Sequence, residues 1–305
     1  MKRRDFIRNS IGAGIAATAG IAFGNLNKLF AGYPSPSPYD MVAVRNGEPD
    51  IMFDKAIESM GGMGSFVKKG QKVVVKPNIG WDVVPERAAN TNPRLVKRII
   101  EHCFEAGADE VYVFDNTCDA WNKCYSNSGI EKAVKDAGGK IAPGNTEGYY
   151  HEVAIEEGVS LTSTKVHELI LESDVFINVP VLKHHSSADL SIAMKNLMGV
   201  VWDRRYWHRN DLHQCIADYS TYRQPDLNVV DAYRVMMKNG PRGVSVNDVV
   251  TFKTLIISPD IVAIDAAAAK VFGQEPEDVS YIVKGQELGA GTWQLENLNI
   301  NRIKL

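Results

Sequence analysis

The sequence predicts an α/β fold, with a mostly parallel β-sheet flanked by helices on both faces in Rossmann-like layers. Two apolar runs rich in β-branched residues, at 72–76 and 175–180, have the composition of strands buried on both faces. Segments with apolar residues at helical spacing lie between such runs, as at 93–107. Strands that alternate with helices in this way form parallel sheets covered by helices.

The first 31 residues show the features of a twin-arginine signal peptide in the expected order. Arg3 and Arg4 precede a Gly- and Ala-rich apolar run at 11–23, and residues 29–31 form a plausible cleavage site. The alternative is a basic N-terminus followed by a disordered segment or a surface helix. The signal-peptide interpretation predicts that the twin-arginine export machinery is a partner and that the protein is periplasmic or otherwise exported.

Residues 32–40, where Pro and Ser alternate, are predicted to be a linker, and residues 41–305 a single α/β domain. The first half of this domain is predicted to contain strands at 41–44, 72–76, 111–114 and 175–180 and helices at 49–66, 93–107, 129–137 and 166–171. The second half is predicted to contain helices at 187–198, 211–219 and 259–272 and strands at 227–230, 253–257 and 299–305.

Composition narrows the classes of function. The 305 residues are 45% hydrophobic with a net charge of −3, so no global positive field favours a nucleic-acid partner. No stretch after residue 40 is long and apolar enough to span a bilayer. The four cysteines lack the spacing of iron–sulfur or zinc motifs, so we expect no iron–sulfur cluster. Cys118 and Cys124 could form a disulfide or remain free thiols.

Polar residues follow several predicted strands directly. Ligands of open α/β sheets lie beyond the carboxyl ends of the strands. We therefore expect one cleft at this edge of the sheet, formed by side chains that are far apart in the sequence: Lys76, Asp115, His184, Lys195 and Asp231.

The residue types in this cleft suggest proton transfer and anion binding. His184 is predicted as a catalytic acid or base together with Lys183 and Asp115, and His184 with Asp231 as a metal site. The alternative for 183–185 is a solvated basic loop. A small-molecule ligand is expected, and its binding residues are predicted to be Lys76, Asn78, Lys195, Asn196, Arg204, His208 and Arg242.

Three of these assignments have an alternative in which the residues have a purely structural role. Lys195 could bind a carboxylate or phosphate, but a lysine near a helix C-terminus is also favoured by the helix dipole. Arg204 and His208 lie in an aromatic and basic segment, 202–213, that is either a wall of the ligand site or a surface flap. Arg242 lies in the turn 239–243, which is either an anion-binding turn or a plain one.

Several spaced motifs resemble the domain of unknown function 362 family. They are the runs 74–78, 183–184, 195–199, 239–241 and 260–265. The resemblance implies an α/β domain without a settled reaction. Some relatives look to have an added ferredoxin-like module, whose cysteines this chain lacks. The positions that match the polar motifs of the family are Lys76, Asn78, Asp115, Lys183, His184, Lys195, Asn196 and Asp231.

Two functions are compatible with these residues. The first is an exported enzyme that acts on a small anionic substrate with a divalent metal or an organic cofactor. Nickel-dependent lactate racemases, which also combine His and Lys in an α/β fold, are a remote analogy. The alternative is a non-catalytic periplasmic protein that binds a metal ion, a sugar or an organic acid.

Overall fold

The computed structural model describes residues 37–305. The predicted signal peptide, 1–31, and most of the predicted linker lie outside them. The strands of the described part are β1 (Met41–Arg45), β2 (Lys72–Pro77), β3 (Glu110–Val113), β4 (Lys140–Ile141), β5 (Tyr150–Ala154), β6 (Ser163–His167), β7 (Val175–Val179), β8 (Val181–His185), β9 (Asp189–Ser191), β10 (Leu227–Met236), β11 (Val249–Ser258) and β12 (Ile300–Lys304).

The α-helices of the same part alternate with these strands along much of the chain. They are α1 (Pro49–Ser59), α2 (Pro93–Glu105), α3 (Trp121–Asn127), α4 (Ile130–Asp136), α5 (Glu168–Glu172), α6 (Ala193–Asn196), α7 (Arg204–Arg209), α8 (Leu212–Tyr219), α9 (Ile261–Phe272) and α10 (Ser280–Glu287).

Ten strands form one mixed sheet in the order β12-β1-β11-β10-β7-β2-β3-β4, with β8 and β9 attached through β10. Strands β7, β2, β3 and β4 pair in parallel, as do β10 with β7 and β1 with β12. Strand β11 is antiparallel to both of its neighbours. The predicted mostly parallel α/β fold is therefore confirmed. Strands β5 and β6 form a separate antiparallel hairpin.

Each face of the sheet has its own hydrophobic core. In β2, Val73 and Val75 pack with α1, α2 and α4 on one face, whereas Val74 points into the core beneath α6, α8, α9 and α10 on the other. All three valines are fully buried. A strand covered on both faces needs apolar residues at consecutive positions, which explains the continuous β-branched run in the sequence.

The predicted helix 187–198 is wrong in its first half. The chain leaves β8 through a tight turn in which Asp189 has a φ of 59°, and β9 then pairs antiparallel with β8. Only Ala193–Asn196 is α-helical, followed by a 3₁₀ turn at Leu197–Val200. The predicted helix 166–171 is also shorter, because the chain up to His167 belongs to β6 and the His167 side chain caps α5.

Candidate functional site

A cavity of about 350 Å³ opens beyond the carboxyl ends of β2, β3 and β7. This is the edge at which open α/β sheets place their ligands. The polar side chains of its lining come from six separate parts of the chain: Lys76, Asn78, Asp115, Asn116, Cys118, Lys183, His185, Ser186, Ser187, Ser191, Lys195, Asn196, Arg204, Arg205 and His208.

Lys76 and Asp115 form a buried ion pair at the base of the cavity. Lys76 Nζ lies 3.0 Å from Asp115 Oδ1 and donates a hydrogen bond to Asn196 Oδ1 at 2.9 Å. The other carboxylate oxygen of Asp115 accepts from the Ile79 backbone N–H at 2.6 Å. Burial lowers the pKa of Lys76, and the adjacent Asp115 carboxylate acts against that shift. Both charges of this pair are thus held by fixed partners.

Gly199 allows this ion pair to form. A Cβ at position 199 would lie 1.9 Å from Asp115 Oδ1 and 2.5 Å from Lys76 Nζ. No side chain fits at these distances, so the backbone of the 3₁₀ turn packs directly on the paired charges.

Lys183 is the second lysine of the cavity, and its side chain is 1% exposed. Its ammonium donates to Asn78 Oδ1 at 2.9 Å and to the Ala89 carbonyl. Burial is the main reason that the pKa of Lys183 is lowered to about 7; the neighbouring Lys195 and Lys76 act in the same direction, and the charge of Asp115 acts against it. The hydrogen-bond acceptors of Lys183 are neutral, so no carboxylate is paired with it directly.

Lys195 is the third lysine, and its environment differs from that of the other two. Its ammonium has one hydrogen-bond partner among the described residues, the Met198 thioether sulfur at 3.1 Å. A thioether is only a weak acceptor. Burial lowers the pKa of Lys195 to about 7, and the Arg204 guanidinium lowers it as well. Near neutral pH this side chain is therefore in large part an uncharged amine.

The short helix α6 that contains Lys195 is fixed by a buried carboxylate from α9. Asp265 accepts from the backbone N–H groups of Ala193 at 2.7 Å and Met194 at 3.0 Å. Burial raises the pKa of Asp265 well above its ordinary value, and these two hydrogen bonds oppose that rise. The first free N–H groups of the helix are thereby paired.

Asn196 connects α6 with the sheet. Its Oδ1 accepts from Lys76 and from Asn78 Nδ2, the latter at 3.1 Å. Its Nδ2 donates to Asn178 Oδ1 at 2.8 Å, and Asn178 donates in turn to Asn228 Oδ1 at 3.0 Å. A buried polar network with every member paired holds its side chains in one arrangement.

Two imidazoles line the opposite side of the cavity. Burial, with Lys195 and Lys183 nearby, lowers the pKa of His185 to about 2, so this ring stays neutral. His185 Nδ1 accepts from the Ser187 N–H at 3.1 Å, which leaves Nε2 as the protonated donor. His208 stacks on His185 with ring centroids 6.3 Å apart, and burial lowers its pKa too.

The predicted role of His184 requires correction. Lys183 and His185 line the cavity, and His184 does not, because neighbouring side chains of a strand point to opposite faces. His184 Nδ1 instead accepts from the Gly240 N–H at 3.1 Å, which ties β8 to the turn 239–243. The alternative of a solvated loop at 183–185 is wrong as well, since these residues form the end of a strand.

The predicted metal site of Asp231 and His184 also requires correction. Neither residue lines the cavity. The Asp231 carboxylate accepts from the backbone N–H groups of Asn92 at 2.8 Å and Tyr233 at 3.0 Å, so it holds the start of α2 against β10. Among residues 37–305, no group of three or more His, Cys, Asp or Glu side chains is arranged to hold a metal ion.

Arg242 lies outside the cavity. Its guanidinium is half exposed and lies 3.4 Å from the Asp119 carboxylate. By contrast, Arg204 lines the cavity and donates to the carbonyls of Asn116 and Thr117. The segment 202–213 is therefore a wall of the cavity rather than a flap. Its Trp207 side chain is fully buried and packs in the hydrophobic core.

Seven polar lining residues are absent from the predicted site: Asn116, Cys118, His185, Ser186, Ser187, Ser191 and Arg205. His185 could have been found from the alternation of side chains along β8, had residues 181–185 been recognised as a strand. Cys118 and Cys124 are both free thiols, so the disulfide alternative is not realised. Cys124 is buried, and Cys118 is exposed at the cavity.

A family model described as a domain of unknown function (DUF362) matches residues 73–270. The chain belongs to the DUF362 family. The matched region contains all three lysines of the cavity as well as Asp115, Asn196 and Asp265. The DUF362 protein is similar to "Thylakoid-associated protein sll1697" of Synechocystis sp., with 24% identity over 249 residues, 76% of this chain and 73% of the other.

Two solved structures are similar to this chain at a low level. The lactate racemase apoprotein of Thermoanaerobacterium thermosaccharolyticum has 12% identity and a TM-score of 0.45 over 81% of this chain and 56% of that chain. A protein of Thermotoga maritima has 10% identity and a TM-score of 0.41 over 76% of this chain and 58% of that chain. The chain thus spans little more than half the length of each.

None of the helices among residues 37–305 has both the length and the apolar composition needed to cross a bilayer.

Proposed function

We propose that this protein is an enzyme that acts on a small organic anion bound in the lysine-rich cavity. The observation that supports this proposal is the charge of the lining. Three buried lysines, Lys76, Lys183 and Lys195, share one cavity in which Asp115 is the only carboxylate of the lining. Burying an uncompensated ammonium is costly, whereas a bound anion would supply the missing counter-charge.

The three lysines have different roles in this proposal. Lys76 stays charged beside Asp115 and positions Asn196. Lys183, anchored by Asn78, binds the carboxylate of the substrate, and the nearby anion raises its pKa so that it becomes protonated on binding. Lys195 is the amine that is free to react with the substrate, because no oxygen acceptor holds it.

The neutral imidazole of His185 complements the lysines. With Nδ1 occupied by the Ser187 N–H, its Nε2–H donates a hydrogen bond to a polar substrate atom without adding charge. The export predicted from residues 1–31 would make this an enzyme of the periplasm or the cell exterior. For a divalent metal ion the described lining offers a single carboxylate, so the substrate itself would have to supply ligands.

Calorimetric titration with phosphate, acetate, L-lactate and pyruvate tests anion binding. We expect binding of at least one organic anion that is weakened at least tenfold in K183M. The matched control is K270M, since Lys270 is half exposed and paired with Glu275 on the surface. Equal affinities in wild type and K183M would refute the proposed site.

Turnover is tested separately from binding. In D₂O, NMR would follow deuterium exchange at carbon positions adjacent to the carboxylate or carbonyl group of each bound acid. Exchange that is lost in K195M and kept in K270M supports the enzyme. Tight binding without exchange or any product would contradict it and favour the alternative, a non-catalytic protein that binds an organic acid.

A further inference from the structure

The partners of the three cavity lysines separate Lys195 from the others. Lys76 is paired with a carboxylate and an amide oxygen, and Lys183 with an amide oxygen and a backbone carbonyl. Among the described residues, the Lys195 ammonium has a single hydrogen-bond partner, the Met198 sulfur. A hydrogen-bonded ammonium is restrained and protonated, whereas an amine without an oxygen partner keeps its lone pair available. Lys195 is thus the nucleophile among the three.

The position of Lys195 is suited to a covalent step. Its side chain is 7% exposed, compared with 0% for Lys76 and 1% for Lys183, and it lines the cavity. Apolar groups adjoin it in that lining, including Met198 and Ile192. Burial of Lys195 favours the uncharged amine, which is the form that can attack a carbonyl carbon.

A second basic group for the substrate lies in the same cavity. Lys183 lies close enough to Lys195 for the charge of one to lower the pKa of the other. A substrate with an anionic group for Lys183 and an electrophilic carbon for Lys195 would use both. The simplest acids that have a carboxylate next to a reactive carbonyl are the 2-oxo acids.

We propose that Lys195 forms a Schiff base with a 2-oxo acid whose carboxylate is bound by Lys183. This inference rests on the proposed function and specifies its substrate class. The lone pair of Lys195 Nζ attacks the carbonyl carbon, and the C=O π electrons move to oxygen, which takes a proton from the nitrogen. Protonation of the resulting hydroxyl, followed by loss of one water, leaves a protonated imine. No oxidant or reductant is consumed.

The protonated imine would act as an electron sink. It withdraws electrons from the bonds of the adjacent carbon, so a proton or another group on that carbon can leave. The Lys183 ammonium, protonated when the carboxylate binds, can supply the proton that the departing hydroxyl needs, and the amine left on Lys183 can then accept the proton that leaves the adjacent carbon. The enamine formed by this proton loss would lead to deuterium exchange into pyruvate.

Borohydride trapping tests the inference. The full-length protein is incubated with pyruvate, reduced with sodium borohydride, and analysed by intact mass and by peptide mapping. We expect a mass increase of one reduced pyruvyl group, located on Lys195, absent from K195M and K195R and present in K270M. Adducts spread over surface lysines, or an adduct that persists in K195M, would overturn the inference.

Calorimetry with pyruvate distinguishes failure of the Schiff-base inference from failure of the proposed function. Pyruvate binding that depends on Lys183 but yields no trapped adduct would overturn the Schiff base and leave the anion site intact. Absence of binding by pyruvate and by the other anions, with the protein folded by circular dichroism, would overturn both. Because K195R keeps a long basic side chain but removes the primary amine, its loss of the adduct with retained binding would identify the amine as the reacting group.

Discussion

Replacing Lys195 with methionine should make the protein more stable at neutral pH. The native pKa of Lys195 is about 7, whereas the unfolded chain keeps the ordinary value of 10.5. Between these two values the unfolded state binds the proton and the folded state does not. Stability therefore falls as the pH is lowered from 10.5 towards 7, and it falls no further once both states are protonated. Methionine removes this effect and is of similar length.

The size of this difference in stability follows from the shift in the pKa of Lys195. Each unit of pKa difference corresponds to about 1.4 kcal/mol, so a change from 10.5 to about 7 gives about 5 kcal/mol well below pH 7 and slightly less, roughly 4 kcal/mol, at pH 7, where the folded state is half protonated. We expect K195M to exceed the wild type in free energy of unfolding by up to about this amount at pH 7 and by almost nothing near pH 10.5.

Urea denaturation of wild type, K195M and K270M between pH 6 and pH 10.5, in buffer without added small organic anions, provides the assay. K270M should follow the wild-type profile, because Lys270 is paired with Glu275 on the surface. A K195M variant that is less stable than the wild type at pH 7, or a difference that does not change with pH, would refute a buried amine with a lowered pKa at this position.

Three further predictions concern the supports of the site and the N-terminus. Gly199→Ala should cost about 3 kcal/mol in denaturant unfolding, because its Cβ would lie 1.9 Å from the Asp115 carboxylate; an unchanged midpoint would contradict the packing. Asp265→Asn should cost about 2 kcal/mol and weaken anion binding in calorimetry, since its amide offers one acceptor to two backbone donors; unaltered affinity would show that α6 needs no such support. Replacing Arg3 and Arg4 together with lysine should block export in cell fractionation, and continued export would refute the twin-arginine assignment.

The sequence predicts the sheet well because its central strands are buried on both faces. Such strands need uninterrupted β-branched runs, and Val73, Val74 and Val75 provide one. The approximate position of the site follows from the same information, because the polar residues after these strands must lie at one edge of the sheet. Lys76 and Asp115 meet there in the structure.

The details of the site depend on information that local patterns do not contain. The orientation of His184 and His185 is set by the register of β8 on β10 and β9, and a displacement by one residue would exchange them. Asp231 accepts from Tyr233 in its own strand and from Asn92 at the start of α2, and only the tertiary structure brings Asn92 to it. Lys76, one of the hydrogen-bond partners of Asn196, lies more than one hundred residues away from it in the sequence.

The most direct test of the account is whether anion binding is accompanied by proton uptake. At pH 8 Lys183, with a pKa of about 7, is mostly neutral, and a bound carboxylate should raise that pKa and protonate it. Calorimetry of an anion that binds, in buffers of different ionisation enthalpy, should therefore show uptake of about one proton at pH 8 and none in K183M. Affinity should also weaken as the pH rises above 7. Binding without proton uptake, or with the same uptake in K183M, would contradict the central role of the buried lysines.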